Sequence, residues 1–254
     1  MTDPVFPDLK GRSVFITGGG AGIGAALTEA FLRQGAKVAF CQRSYATPFC
    51  DAMERATGNR PLFLPCDIAV TDQLQLTLAT AAKAHGPITT LVNNAANDQR
   101  HDTLKTDQAF WDWSIDVNLR SYFFACQSVI PGMQAAGGGS IINFSSISFM
   151  MADTGYAAYI TANAGIIGLT RTLAREFGPD RIRVNAIAPG WVLTDRQKQL
   201  WVTPDALASH LARQCLPDPI LPADMAGAVL FLAADASRMM TSQTLILDGG
   251  FVSG

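Results

Sequence analysis

The sequence predicts an α/β protein with a doubly wound parallel sheet of about seven strands and helices on both faces. Three observations predict it. Short apolar, β-branched runs alternate along the chain with segments whose apolar residues recur at helical spacing. A glycine-rich turn, Thr17-Gly18-Gly19-Gly20-Ala21-Gly22-Ile23-Gly24, joins the first such run to the first such helix. Hydrophobic residues make up 48% of the 254-residue chain, enough for a sizeable core.

The elements follow in order. Val14-Phe15-Ile16 reads as a buried strand, and Ala25, Ala26, Leu27, Ala30, Phe31 and Leu32 mark the helix after the turn. Glycines let the backbone take positive φ and come close to a ligand. The free N–H groups at a helix start attract an anion, and a dinucleotide pyrophosphate is the natural guest. Lys37-Val38-Ala39-Phe40-Cys41 is a second strand and Leu62-Phe63-Leu64 a third, ending near Asp67. Ile88 to Val92 is a fourth, and Ser140 to Phe144 a fifth after Gly137-Gly138-Gly139. Ile182 to Ile187 is a sixth and Thr244 to Leu247 a seventh, with helices over 71–84, 116–130, 157–177 and 223–234. No linker or repeat interrupts the rhythm, so residues 1–254 read as one domain. The stretch 191–222, with Trp191, Trp201 and four prolines, breaks it and is expected to be a substrate lid near the carboxyl ends of the strands.

Composition excludes several classes of function. The 19 basic and 21 acidic residues give a net charge of −2 and no electrostatic footprint for nucleic acid. No apolar run approaches the ~20 residues that span a bilayer, so no membrane partner is expected. Residues Met1 to Lys10 carry Asp3, Asp8 and two prolines, unlike a signal peptide. The five cysteines at 41, 50, 66, 126 and 215 show no CxxC spacing and read as reduced thiols of a cytoplasmic protein. His85, His101 and His210 lie far apart, so no metal is expected.

Chemistry-bearing residues fall at the strand ends. Asn93-Asn94-Ala95-Ala96 follows the fourth strand, where adjacent asparagines can cap the strand and hold a neighbouring loop. Asn118 interrupts an apolar helix and must find partners if buried. Ser145-Ser146 ends the fifth strand, and Tyr159 follows thirteen residues after Ser146 in a helix rich in small residues. A hydroxyl at a strand end facing a helix-borne tyrosine can hold a carbonyl oxygen while a proton passes.

Over essentially its full length the chain resembles the short-chain dehydrogenase/reductase family in its single-domain form. The resemblance rests on Thr17 to Gly24, Asp67, Asn93 to Ala96, Asn118, Ser146, Tyr159, Pro189-Gly190 with Thr194, and Leu247-Asp248-Gly249-Gly250. It implies a Rossmann-type sheet and hydride transfer between a nicotinamide and a hydroxyl or carbonyl carbon. It implies that Ser146 orients the substrate oxygen, that Tyr159 is the general acid/base, and that Asn118 holds a helix bend and a proton-relay water. Gly18, Gly22, Ile23 and Gly24 would cradle the pyrophosphate. Asp67 and Ile68 would meet the adenine, Asn94, Ala95 and Ala96 the adenosine ribose region, and Pro189, Gly190, Val192 and Thr194 the nicotinamide.

One departure stands out. The family pattern Tyr-x-x-x-Lys here reads Tyr159-Ile160-Thr161-Ala162-Asn163. Asn163 occupies the catalytic and ribose-binding place of a lysine whose charge lowers the tyrosine pKa. An amide donates hydrogen bonds but brings no charge, so impaired activity is expected.

Cofactor choice is read at the end of the second strand. An acidic residue there accepts from the adenosine 2′-OH and repels a 2′-phosphate. Here the chain runs into Gln42-Arg43 with no carboxylate, and Arg43 can clamp a phosphate bidentately. NADP is therefore expected ahead of NAD.

The expected substrate wall is polar: Asn97, Asp98 and Arg100 after the fourth strand, Ser148 after the fifth, and Trp191, Arg196 and Gln197 in the lid. This combination resembles the bacterial sugar dehydrogenases of the family and implies a sugar or sugar-derived substrate. The alternatives are a keto-reductase of a small acyl or keto acid, and a cofactor-binding protein with weakened catalysis. Helices 116–130 and 157–177 resemble the pair through which this family dimerises, and residues 251–254 would meet a second interface, so a homotetramer is expected.

Overall fold

The computed structural model describes residues 4–151 and 153–252. Ser253 and Gly254 of the expected second interface, and Met1 to Asp3 of the N-terminal stretch, lie outside the described residues.

Seven parallel strands form one sheet in the order β3-β2-β1-β4-β5-β6-β7. They are β1 (Ser13–Thr17), β2 (Lys37–Gln42), β3 (Leu62–Pro65), β4 (Thr90–Asn93), β5 (Gly139–Phe144), β6 (Ile182–Pro189) and β7 (Thr244–Leu247). The helices are α1 (Gly22–Arg33), α2 (Thr47–Thr57), α3 (Thr71–His85), α4 (Gln108–Ile115), α5 (Ser121–Ala135), α6 (Ser148–Met151), α7 (Ala157–Phe177), α8 (Asp195–Leu200), α9 (Pro204–Leu211) and α10 (Ala226–Ala233). The strand order reverses between β1 and β4, and the crevice outside their carboxyl ends is where ligands of such sheets bind.

Side-chain alternation builds two cores. Val14, Ile16, Val38 and Phe40 face one side, with Leu27 and Phe31 of α1 and Val229 and Leu230 of α10. Phe15, Ala39 and Cys41 face the other, with Leu74 of α3, Ala125 and Val129 of α5, and Leu173 of α7. Successive strand residues point to opposite faces. Both faces are buried, which is why the strands read as continuous apolar runs.

Three sequence expectations shift. The fourth strand is Thr90–Asn93 rather than 88–92, because Pro87 cannot donate to a ladder and the parallel pairing with β1 starts at Thr90. The helix expected over 116–130 becomes a π-helical turn, Asp116–Arg120, followed by α5 to Ala135. The stretch 191–222, which breaks the rhythm in the sequence, carries two short helices, α8 and α9, joined and followed by turns. Its two ends are fastened by a parallel bridge between Val192 and Ile220, with Leu193 N–H donating to the Ile220 carbonyl at 2.8 Å.

Candidate active site

The glycine turn forms a cradle that admits no larger residue at its centre. Gly18 and Gly22 have φ of +70° and +51°. A Cβ on Gly24 would collide with the Gly18 carbonyl, and one on Gly19 with the Phe40 side chain. The Gly18 N–H donates to the Cys41 carbonyl at 2.7 Å, and Thr28 Oγ1 donates to the Gly19 carbonyl at 2.7 Å. The start of α1 is thus left with free N–H groups in a close-fitting backbone turn, the donor set a pyrophosphate needs. Thr194 faces this turn from beyond β6: its methyl lies 3.1 Å from where a Gly22 Cβ would sit.

Asn94 ties the turn to β4. Its N–H and that of Ala95 donate to Thr17 Oγ1 at 2.9 and 3.0 Å, and Asn94 Nδ2 donates to the Thr17 carbonyl at 2.9 Å. Asn93 Nδ2 donates to Asn143 Oδ1 at 2.9 Å, and Asn143 Nδ2 donates to Thr170 Oγ1 on α7 at 3.0 Å. This buried amide chain locks β4, β5 and α7 together, so the strand ends that carry the site hold one geometry.

Beyond the carboxyl ends of β2 and β3, Asp67 Oδ1 accepts from the Ala69 N–H at 3.0 Å, and Arg43 Nη1 stands 3.9 Å from Asp67 Oδ2. Gln42 Nε2 donates to the Ser44 carbonyl and to its hydroxyl, both at 3.1 Å. The Arg43 side chain is 68% exposed, so its guanidinium is available to a ligand. Ile68 is buried against the core beside it.

A cavity of about 820 Å³ opens at the carboxyl ends of β4, β5 and β6. Ser146, Tyr159, Asn94, Ala96, Asp98, Arg100, Ser148, Pro189, Gly190, Trp191, Val192, Thr194, Arg196, Gln197 and Ile23 all line it. Asn97, Asn118 and Asn163 do not. Asn118, buried in the π-helical turn, accepts from the Asn97 N–H with Oδ1 at 2.8 Å. Its Nδ2 donates to the Asn97 carbonyl at 3.1 Å and to the Ser114 carbonyl at 2.9 Å. The turn widens the helix at this point and sets the amide against the loop after β4. Asn97 Oδ1 in turn accepts from the Gln99 N–H at 2.9 Å. Arg196 Nη2 also donates to Asn97 Oδ1 at 3.5 Å, so the Asn97 oxygen joins its own loop to α8.

Ser146 Oγ accepts from the Ser148 N–H at 3.1 Å, and the neighbouring Ser145 Oγ donates to the Asn163 carbonyl at 3.0 Å. Asn163 is 3% exposed, and its Nδ2 donates to the Tyr159 carbonyl at 2.9 Å, closing one helical turn. Burial pushes the Tyr159 phenol above its ordinary value, and the Asp98 charge adds to this; hydrogen bonding to Ser146 and Asn163 and the Arg100 charge pull the other way.

A polar chain crosses the cavity. Trp191 Nε1 donates to Gln197 Oε1 at 2.9 Å, Gln197 Nε2 donates to Asp98 Oδ2 at 2.8 Å, and Arg196 pairs with Asp98 at 3.1 Å. The structure also brings in residues that local patterns did not single out. Tyr156 stacks on Tyr159 with ring centroids 5.7 Å apart, and its hydroxyl donates to Asp153 Oδ2 at 2.9 Å. Its place three residues before Tyr159 was the available signal. His210 stacks on Phe251 at 4.3 Å and meets Trp191 edge-on at 5.2 Å, with Arg213 over the Phe251 ring at 4.2 Å. These come from distant parts of the chain and left no local signal.

A glycine cradle at the sheet's switch point, joined to a serine–tyrosine pair in an adjoining cavity, defines a nicotinamide-dependent oxidoreductase. The family model described as Enoyl-(Acyl carrier protein) reductase matches residues 18–252, and the chain belongs to the short-chain dehydrogenase/reductase family. It is 48% identical over 247 residues to a probable galactose dehydrogenase of Rhizobium meliloti (strain 1021), covering 96% of each chain. It is 43% identical over 254 residues to a D-xylose 1-dehydrogenase of Caulobacter vibrioides, covering 99% of this chain and 100% of the relative. Among solved structures, a putative short-chain alcohol dehydrogenase from Sinorhizobium meliloti 1021 superposes with a TM-score of 0.92 at 30% identity, covering 98% of each chain. Dehydrogenases of this family use NAD or NADP, and this protein is an oxidoreductase of that kind.

Proposed function

We propose that the protein oxidises a hydroxyl of a neutral aldose, with NADP preferred to NAD. The observation that carries the reading is the polar chain Trp191–Gln197–Asp98–Arg196 along the cavity that holds Ser146 and Tyr159. Several paired donors and acceptors suit a polyhydroxylated substrate and disfavour an apolar one. The names of the sugar-dehydrogenase relatives point the same way. Pairing Arg196 with Asp98 neutralises both charges, which favours an uncharged sugar.

In this reading Ser146 holds the reacting oxygen and Tyr159 takes its proton. Asn118 keeps the Asn97–Arg100 loop in place through the Asn97 backbone. The segment 191–222 acts as a lid, with Gln197 and Arg196 joining it to the β4 loop. The glycine cradle, Asn94 to Ala96 and the Pro189–Thr194 stretch would hold the dinucleotide, and Asp67 and Ile68 its adenine. The nicotinamide, when bound, accepts the hydride from the reacting carbon. Arg43, exposed and with no carboxylate on Gln42 or itself, favours a 2′-phosphate.

We also propose a homotetramer. Ile115 of α4, Leu119 and Arg120 of the π-helical turn, Phe123 of α5, and Gly165 and Leu169 of α7 line a mostly apolar groove, and Phe123 is 43% exposed there. A second copy covering that face would form the first of the two interfaces a tetramer needs, and a monomeric or dimeric mass by light scattering is the contrary result.

The functional test is nicotinamide reduction, followed by absorbance, across a panel of aldoses, sugar acids, polyols and apolar secondary alcohols. Turnover concentrated on neutral aldoses supports the reading. Turnover confined to apolar alcohols or keto acids overturns it.

A further inference from the structure

We propose that Arg100 is the positioning residue that supplies positive charge to Tyr159, through its seat on the Tyr156 ring in the shared cavity wall. The proposal deepens the dehydrogenase reading and rests on it for the role of Tyr159.

The Arg100 guanidinium carbon lies 3.6 Å from the Tyr156 ring centroid and 5.4 Å from that of Trp201. Tyr156 is held by its bond to Asp153 and stacks on Tyr159 with an interplanar angle of 21°. Arg100 is thus seated one ring away from Tyr159, and both line the same cavity. An arginine over an aromatic face keeps its charge while its fork is held in place.

The other groups facing Tyr159 do not supply this charge. From the β4 loop, Asp98 contributes negative charge, His101 Nε2 accepts from the Ala158 N–H at 3.3 Å and so carries no proton on that nitrogen, and Arg196 of α8 is spent on Asp98 at 3.1 Å. Asp153, before α7, is negative as well. From α9, burial lowers the pKa of His210 and favours its neutral form, and Arg213 lies over Phe251. From α5, Tyr122 and Cys126 are buried and neutral. On α7 itself, Asn163 is uncharged and its amide donates to the Tyr159 carbonyl. Arg100 makes no ion pair among the described residues. Against burial and Asp98, the hydrogen bonds to Ser146 and Asn163 pull the Tyr159 phenol down, and the Arg100 charge acts in the same direction.

The test titrates the Tyr159 phenol by ultraviolet difference absorbance against a Tyr159→Phe reference, with neither sugar nor cofactor present. Arg100→Gln is expected to raise the midpoint by about half to one pH unit, and Arg100→Lys to restore most of the shift. The pH–rate profile should move with it, lowering kcat at pH values below the midpoint by roughly threefold to tenfold. In an Asn163→Lys background the two cations act additively on the phenol, so Arg100→Gln should raise the lowered midpoint by a similar amount. A midpoint unmoved in Arg100→Gln, with only KM raised, would make Arg100 a substrate contact and overturn the proposal. The titration needs no turnover, so failure of the sugar reading leaves this test standing.

Discussion

Asn163→Lys probes the site most sharply. Residues i and i+4 on a helix share a face about 5–6 Å apart, so a lysine at this position can bring its ammonium within ~6 Å of the Tyr159 phenol. At an effective dielectric of ~20, two unit charges at that distance attract by about 2.8 kcal/mol, or about two pH units. Two costs reduce this. The native amide already pulls the phenol down by hydrogen bonding, and the substitution gives that up. A buried ammonium is itself partly discharged. The net expectation is a phenol midpoint lowered by about one to two units and a kcat near neutral pH raised roughly tenfold to a hundredfold. The assay is kcat against pH for both enzymes on the same sugar. An unchanged or slower Asn163→Lys enzyme with an unshifted profile would refute the idea that the missing charge limits catalysis.

Three further predictions bear on other parts of the account. Arg43→Ala should weaken NADP binding by about 1.5–3 kcal/mol, the scale of a hydrogen bond to a charged group, and leave NAD binding nearly unchanged in titration calorimetry; equal losses would make Arg43 a loop support through Asp67. Gly24→Ala, which drives a Cβ into the Gly18 carbonyl, should lower affinity for either dinucleotide at least about tenfold, and the fluorescence of bound reduced nicotinamide will show it. Stability should fall as pH rises from about 9 to 12, because burial pushes the Cys126 thiol up to about 12 and raises the Tyr122 and Tyr159 phenols. The native state keeps protons there that the unfolded chain releases, at ~1.4 kcal/mol per group and pH unit, so the loss should show in Tm against pH.

The sheet was legible because its strands are buried on both faces and therefore read as apolar runs such as Val14-Phe15-Ile16 and Ile182 to Ile187. The π-helical turn was not, since one extra residue per turn leaves the apolar spacing around Asn118 almost unchanged. The asparagines after β4 were legible as cappers, and Asn94 does hold the β1 turn. Asn97 was legible as a polar residue after a strand; that its Oδ1 accepts from the Gln99 N–H and from Arg196 was not, because Arg196 lies far along the chain. The far wall of the cavity, from His210, Arg213 and Phe251, depends on where α9 and the chain after β7 fold back. No local pattern encodes that. The two helices of the 191–222 segment were hidden by four prolines in a short amphipathic stretch, although Pro204 in fact opens α9.

The central claim is that this site moves hydride from a sugar carbon while Tyr159 takes the hydroxyl proton. Its most direct measurement uses an aldose deuterated at its ring and chain carbons with oxidised NADP, followed by mass analysis of the recovered nicotinamide. The account predicts one deuterium per turnover in the reduced cofactor, and almost none formed by Tyr159→Phe. Absence of label from the nicotinamide while the sugar is consumed, or undiminished transfer by Tyr159→Phe, would contradict it.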